Sequence, residues 1–384
     1  MKIFADENMP LVMELFDQRA EIVRGPGRGL SREQLADVDV LLVRSVTKVN
    51  AELLEGSAVK FVGSATAGTD HVDTNYLKHA GIEFAYAPGS NANSVAEYVV
   101  AALLSLATRD GFALADKTIG IVGHGEVGSR VAAKCRSLGM RTLINDPPLK
   151  DQGTKLDFVE LDDLLAADIL TLHVPLMFEG PFATANLISH EWLNRTSKPK
   201  MIILNTARGG GLDEEALWQV RAAGLVGPVV LDVFEAEKNP ERVSDAALNQ
   251  ADITTSHIAG YSYDGKVAGT VMLYKALAEH FGWPTEISRI DTLITEPKEL
   301  DGQTAAASRM EQLHCAVRQA YDIQQDHEKL QKVVSQEGPD RGAYFDSLRK
   351  NYPLRREFRN HYISKEQGYS TEVVQTLKRL GFGG

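Results

Sequence analysis

The feature that most narrows the fold of this chain lies between Thr118 and Leu138. Thr118–Val122 (TIGIV) reads as a buried strand, Gly123-His124-Gly125-Glu126-Val127-Gly128 follows without a gap, and a helical pattern runs on to Leu138. In a strand-to-helix turn of the form Gly-x-Gly-x-x-Gly, the glycines allow the tight turn, let a pyrophosphate approach the backbone, and pack helix on strand. The helix N-terminus then offers unbonded N–H groups and a positive dipole end to the anion. A further strand ends at Asp146, 23 positions after Gly123 (146 − 123), close to the roughly 20 expected for the acid that binds the adenosine ribose. A carboxylate there repels a 2'-phosphate. Gly123, Gly125, Glu126, Val127, Gly128 and Asp146 are therefore candidate cofactor residues, and NAD is expected over NADP.

The alternation of strand and helix extends in both directions. Before residue 108, Lys2–Ala5, Val38–Val43, Lys60–Gly63 and Ile82–Ala85 read as strands. A second series comprises Thr118–Val122, Arg141–Asn145, Ile169–His173, Met201–Asn205, Val229–Asp232 and Ile253–Thr255. Such alternation means parallel sheets with right-handed crossovers. The expected class is α/β, with two doubly wound, Rossmann-like domains. Two helices with few polar positions, Asn93–Ala107 and Gly260–Phe281, belong between packed layers and mark the boundaries. We expect a substrate-binding domain over 1–93, completed by about 262–284, an NAD-binding domain over 94–261, and an α+β dimerisation domain over 285–384. In the last, Thr304–Val334 reads as one long helix. Its apolar stripe of Met310, Leu313, Val317, Ala320, Tyr321 and Leu330 must be covered by something, and a second copy of the chain is the expected cover.

Composition excludes several classes. A net charge of -11 opposes general nucleic-acid binding, which needs a basic face. No segment reaches the roughly 20 apolar residues of a membrane span, and Asp6 and Glu7 interrupt the N-terminus before any secretory signal can form. Cys135 and Cys315 are the only cysteines, too few for a disulfide scaffold and without metal-ligand spacing to histidine. No metal is expected, and a reducing cytoplasm is the natural setting.

Oxidising an alcohol by hydride transfer needs a base for the hydroxyl proton, a cation for the carboxylate, and a group that tunes the base. One of each follows a strand of the second series: Arg208 after MIILN, Glu237 after VVLDVF, and His257 after ITTS. In an open parallel sheet, ligands bind beyond the carboxyl ends of strands. Taken singly, each residue is as well explained by ordinary loop chemistry. His71 and His173 are weaker candidates, read as packing and turn-ordering residues.

Six segments in order, Gly63–Asp73 (GSATAGTDHVD), Asn91–Glu97 (NANSVAE), His173–Leu176 (HVPL), Asn205–Gly209 (NTARG), Asp232–Glu237 (DVFEAE) and Ser256–Gly260 (SHIAG), resemble the successive motifs of the D-2-hydroxyacid dehydrogenases over about residues 40 to 280. The resemblance implies Arg208 as the substrate-polarising cation, Glu237 as partner of the histidine and His257 as acid-base. It further implies Pro175, Thr206, Ala207, Arg208, Asp232 and Gly260 beside the cofactor. Arg44–Val49, SATAGTDHVD and Phe345–Phe358 resemble one branch of that family. The branch implies a small phosphorylated hydroxyacid substrate touched by Ser45, Thr66 and Tyr261, and a homodimer joined through the C-terminal domain. Candidate phosphate ligands are the basic cluster Arg349, Lys350, Arg355, Arg356 and Arg359, or Arg44 and Lys48. A 3-phosphoglycerate dehydrogenase and an NAD-sensing corepressor on the same fold are the alternatives.

Overall fold

The computed structural model describes residues 1–196, 198–285, 297–301, 307–364 and 368–383. The chain divides into two units: Met1–Asn93 with Tyr261–Glu296, and Ser94–Gly260 with Pro297–Gly384.

In the first unit, five parallel strands lie in the order β2-β1-β3-β4-β5, with β1 Lys2–Asp6, β2 Glu21–Gly25, β3 Val40–Val43, β4 Phe61–Ser64 and β5 Glu83–Tyr86. The strand Glu21–Gly25 is absent from the sequence reading. It is an edge strand, paired only with β1 from Lys2↔Glu21 to Asp6↔Gly25, and its mixed EIVRG pattern lacks the apolar run of an inner strand. Ile3, Ala5, Val40 and Leu42 pack on one face of the sheet with Leu273, Tyr274 and Leu277 of the helix Tyr263–Phe281. Phe4, Leu41, Val43 and Val62 fill the other face. Ser262 caps the N-terminus of that helix and Gly282, in a left-handed conformation, ends it.

The second unit holds six parallel strands in the order β11-β10-β9-β8-β6-β7: β6 Thr118–Val122, β7 Arg141–Asn145, β8 Ile169–Leu172, β9 Met201–Asn205, β10 Val226–Leu231 and β11 Ile253–Thr254. A single parallel bridge, Ile144↔Phe158, extends the sheet beyond β7. The order reverses between β6 and β8, which is where a doubly wound sheet opens a ligand crevice at its carboxyl edge. The helix Ala92–Asp110 is buried along most of its length, as its lack of a polar face requires.

Pro297–Gly384 packs within the second unit and does not stand apart as a third one. Leu330, Val333 and Phe345 join the same apolar cluster as Val229, Phe234 and Leu248. The expected helix over Thr304–Val334 is broken: Arg309–Ala320 and Ile323–Gln331 are separate helices, and Lys332–Ser335 is a short 3₁₀ turn. Thr304–Ala306 lies outside the described residues. Tyr321 is extended at the break, and the Asp322 carboxylate starts the second helix by accepting from Gln324 N at 3.2 Å. Local capping by aspartate competes with helix continuation, and the break lets the Tyr321 ring lie 3.7 Å from the Arg355 guanidinium. Most of the stripe is already covered inside the chain, since Leu313, Val317 and Leu330 are fully buried and Tyr321 nearly so, while Met310 and Ala320 are half-buried.

Candidate active site

The fingerprint turn has the local geometry that an anion cradle needs. Gly123 adopts φ 88°, and a Cβ there would meet the His173 carbonyl at 2.6 Å. A Cβ on Gly128 would lie 1.9 Å from the Gly123 carbonyl, so only glycine allows the helix to sit on the turn. A Cβ on Gly125 would meet nothing within 4 Å, which leaves open space over the start of the helix Glu126–Ser137, and no side chain caps that start. Glu126 and Val127 open the helix, and its first N–H groups are available to a pyrophosphate. Asp146 sits at the end of β7 with Oδ2 accepting from His124 N at 2.7 Å and Oδ1 from Leu149 N at 3.0 Å. The carboxylate is thus held against the fingerprint turn. The residues present fit a dinucleotide.

Three adjacent strands deliver the other candidates. Arg208 follows β9, and its loop is fixed by Asn205, whose amide accepts from Ala207 N at 3.0 Å and donates to the Arg208 carbonyl at 2.9 Å. Gly209 lies so close to Phe234 that a Cβ would come within 2.2 Å of its carbonyl. Thr206 contacts His173 Nδ1 at 3.4 Å and Thr171 contacts its Nε2 at 3.0 Å. Burial pushes the His173 pKa down to about 3, so this ring is a neutral spacer between strand ends. Pro175 follows, its carbonyl accepting from the Thr184 hydroxyl. His71 has a comparable packing role, with Nε2 2.9 Å from Ser64 Oγ.

Beyond β10 and β11, His257 Nδ1 lies 2.7 Å from Glu237 Oε2. Burial alone would raise the Glu237 carboxyl, but the charge and hydrogen bond of His257, the Phe234 N–H and the charge of Arg349 together hold it below the usual range. The pair fixes the ring's tautomer and orientation and leaves Nε2 for a substrate. His257 itself has φ 56°, in the left-handed region, which is strained for a residue with a Cβ. Asp232 carries the loop: Oδ1 accepts from Thr255 Oγ1 at 2.5 Å and from Ile258 N at 2.8 Å, and Oδ2 accepts from Ala259 N at 2.9 Å. Burial pushes this carboxyl up to about 6. The motif marks Asp232 as a cofactor neighbour; that it clamps the histidine loop is visible only in three dimensions.

In the first unit, Arg44–Ser45 and Ala65–Thr66 leave the paired strands β3 and β4 side by side, with Ala65 N donating to the Val43 carbonyl at 2.9 Å. Thr66 Oγ1 donates to the Gly68 carbonyl at 2.7 Å, and Arg44 is anchored by Asp6 at 2.8 Å. Tyr261 lies under Lys266, whose Nζ is 5.4 Å from the ring centroid. Lys266 escaped the sequence reading because one lysine in the first turn of a helix is an ordinary surface residue. Here burial and the charge of Arg44 lower its pKa.

The basic residues Arg355, Arg356 and Arg359 of the C-terminal region are each engaged within the protein. Arg355 is buried and donates to the carbonyls of Ala259 at 3.1 Å and Ser94 at 2.7 Å. Arg356 donates to Asn360 at 2.6 Å and Arg359 pairs with Glu357 at 3.3 Å. Arg355 thereby ties the region to the rest of its unit.

Beside the pair, burial pushes Glu214 up to about 8, although it accepts from Glu235 N at 2.6 Å. Since its folded value lies above the ordinary 4.5, its favourable contribution is complete below about pH 4.5 and is lost as pH rises through 8. Glu214→Gln keeps an acceptor for Glu235 N. It should stabilise the fold over the parent by a margin that grows from about pH 5 to pH 8, on the order of 1–3 kcal/mol at the upper end, and raise Tm accordingly. Thermal melts across that range check it, and a margin that narrows with pH would contradict it.

Among the described residues no group of three or more His, Cys, Asp or Glu could hold a metal ion, and no helix is long and apolar enough to cross a membrane. Residues 92–259 match the family of D-isomer specific 2-hydroxyacid dehydrogenases in its NAD-binding domain, and residues 295–381 match a domain of unknown function, DUF3410. The second unit thus carries the nucleotide domain of an NAD-dependent dehydrogenase. The chain is 45% identical to the erythronate-4-phosphate dehydrogenase of Escherichia coli K12 and 44% identical to that of Cronobacter sakazakii, covering 100% of this chain and 98% of each relative. Among solved structures it is similar to the NAD-bound 3-phosphoglycerate dehydrogenase of Entamoeba histolytica (TM-score 0.62, 25% identity, 73% of this chain and 95% of that one). The chain belongs to the erythronate-4-phosphate dehydrogenase family, within the D-2-hydroxyacid dehydrogenases.

Proposed function

We propose that this chain oxidises 4-phospho-D-erythronate to (R)-3-hydroxy-2-oxo-4-phosphonooxybutanoate with NAD, a step toward pyridoxal 5'-phosphate. The observation that carries the chemistry is the His257–Glu237 pair at 2.7 Å, which follows strands of the same parallel sheet as the dinucleotide turn. The full-length likeness to erythronate-4-phosphate dehydrogenases supports the substrate.

NAD, when bound, supplies the hydride acceptor for the C2 hydrogen. Neutral His257 takes the C2 hydroxyl proton at Nε2, and the charge of Glu237 stabilises the imidazolium that results. Arg208 takes the carboxylate and the developing carbonyl oxygen, since its fork cannot lose its charge near neutral pH. Gly123, Gly125, Glu126, Val127 and Gly128 hold the pyrophosphate and Asp146 the adenosine ribose. Pro175, Thr206, Ala207, Asp232 and Gly260 line the rest of the cofactor path.

Ser45, Thr66 and Tyr261 bind the substrate. Arg44 and Lys266 are assigned to its phosphate: Lys266 is half-buried, no carboxylate pairs with it among the described residues, and the charge of Arg44 acts on it. Two cations that destabilise each other suit a dianion. The reading includes a homodimer in the cytoplasm. Leu313, Val317, Tyr321 and Leu330 of the expected stripe are buried within the chain and do not offer that surface.

A panel of 2-hydroxyacids with and without a terminal phosphate, followed at 340 nm, tests the substrate. The phosphorylated four-carbon acid should give the highest kcat/KM. Lys266→Met should raise its KM about tenfold or more, as expected for a lost charge-assisted contact of roughly 1.5–3 kcal/mol, while changing the unphosphorylated acid little. Equal turnover of both acids by the parent protein would refute the phosphate assignment.

A further inference from the structure

We propose that the C-terminal region, a domain of unknown function by its family match, is a brace for the catalytic pair, with Arg355 as a positioning residue for His257. The proposal rests on the acid-base reading of that histidine.

The left-handed backbone at His257 is strained, and such a conformation persists only where its surroundings over-determine it. The supports come from two sides. Asp232 holds Thr255 Oγ1, Ile258 N and Ala259 N, and Tyr98 OH adds a contact to Thr255 Oγ1 at 2.8 Å. The remaining polar group of Ala259, its carbonyl, accepts from Arg355 at 3.1 Å. Ala259 is thereby gripped at its N–H by the nucleotide domain and at its C=O by the C-terminal region, two residues from the reacting ring.

Arg355 is fixed in turn. Its second Nη donates to the Ser94 carbonyl at 2.7 Å, and its Cζ lies 3.7 Å from the centroid of the Tyr321 ring. The Tyr321 and Tyr352 hydroxyls both donate to Asp326 Oδ2, at 3.2 and 2.6 Å. On the following residues, Glu357 accepts from Ser94 Oγ at 2.8 Å, and Phe358 N donates to the buried Glu97 at 3.0 Å. The guanidinium is buried, and its two Nη atoms span the Ser94 and Ala259 carbonyls.

The other member of the pair is braced from the same region. The helix Gly338–Lys350 lies so close to the chain after Glu237 that a Cβ on Gly342 would meet the Pro240 carbonyl at 1.8 Å. Phe345 packs edge-on against Phe234 with centroids 6.1 Å apart. Arg242, which donates to the Glu237 carbonyl, is paired with Asp346 at 3.7 Å. The charged groups facing the pair are Asp232 beside His257, and Arg349 and Glu214 beside Glu237.

Arg355→Lys keeps the charge and loses the fork. Misplacing a reacting group by about 1 Å can cost a hundredfold, so kcat should fall by about ten- to a hundredfold. The Kd for NAD, from fluorescence titration, should stay within about twofold. The apparent pKa in the pH profile of kcat/KM should fall toward that of Glu237→Gln, because a displaced ring loses its anionic partner. A folded Arg355→Lys with the parent's kcat and pH profile would overturn the proposal. Should Arg355→Lys not fold, Asp346→Asn serves, since it loosens the Glu237 side from a part-exposed position. A lowered kcat with a downshifted profile supports the brace, and unchanged values overturn it. Failure of the acid-base reading shows separately, as near-normal turnover in His257→Ala.

Discussion

His257→Ala is expected to lower kcat by about a hundredfold or more while leaving the Kd for NAD nearly unchanged. General acid-base catalysis is typically worth about 10²–10⁴-fold, and the imidazole is the one group on this loop that can accept a proton through a free ring nitrogen. The Asp232 clamp grips Thr255, Ile258 and Ala259 and makes no bond to the side chain of residue 257. Removing the ring therefore leaves the loop's supports in place. Alanine tolerates φ 56° no better than histidine, so a small loss of stability accompanies the kinetic loss. In the companion Glu237→Gln, a neutral amide replaces a carboxylate at 2.7 Å, and the imidazolium loses its anionic partner. The apparent pKa of the basic form in kcat/KM should then move down, and the rate at low pH should suffer less than the rate at the optimum. Near-normal turnover in both variants, with an unshifted profile, would remove His257 and Glu237 from the chemistry.

Truncation after Pro284 is expected to abolish cooperative folding of the nucleotide unit. Leu330, Val333 and Phe345 are fully buried in the cluster that holds Val229, Phe234 and Leu248. At about 1.5–3 kcal/mol for each fully buried side chain, their loss alone amounts to roughly 5–9 kcal/mol, against a typical net stability of 5–15 kcal/mol. The cut also strips polar partners from groups that stay inside. Glu97 would lose the Phe358 N–H, and Lys134, 3.9 Å from Glu97, would lose the Leu380 carbonyl. A buried charge left short of partners costs more than the contact it made. Insoluble product, or a broad melt without a transition, is the expected outcome by calorimetry and circular dichroism. A truncated chain that melts cooperatively and binds NAD would show the C-terminal region to be dispensable for this unit.

The contrast between the two units and the C-terminal region shows how far the amino-acid order reaches. Residue types at short spacing determined the fingerprint turn, because Gly123 and Gly128 are required by contacts within a dozen residues or with the next strand end. Apolar runs determined ten of the eleven strands in the two large sheets; only the edge strand Glu21–Gly25, half-solvated and mixed in character, was not legible. Ordered motifs marked Arg208, Glu237 and His257 before any distance was known, since each follows its own strand and a parallel sheet brings such ends together.

The C-terminal region followed different rules. Its stripe was visible, but a helical stripe states only that something covers it, and the cover here is the chain itself. Arg355 counted among five basic residues in one short stretch, and charge alone suggested an anion; its burial, its fork across Ser94 and Ala259, and the Tyr321 ring beneath it reverse that meaning. Lys266 shows the opposite change, from an unremarked helix lysine to a half-buried cation beside Arg44. The sequence by itself determined the fold class and the chemistry of this protein, because both depend on local turns and on periodicity that neighbouring residues enforce. Tertiary structure alone decided which charges are solvated and which are enclosed, because desolvation and pairing depend on residues that lie up to 263 positions apart in the chain.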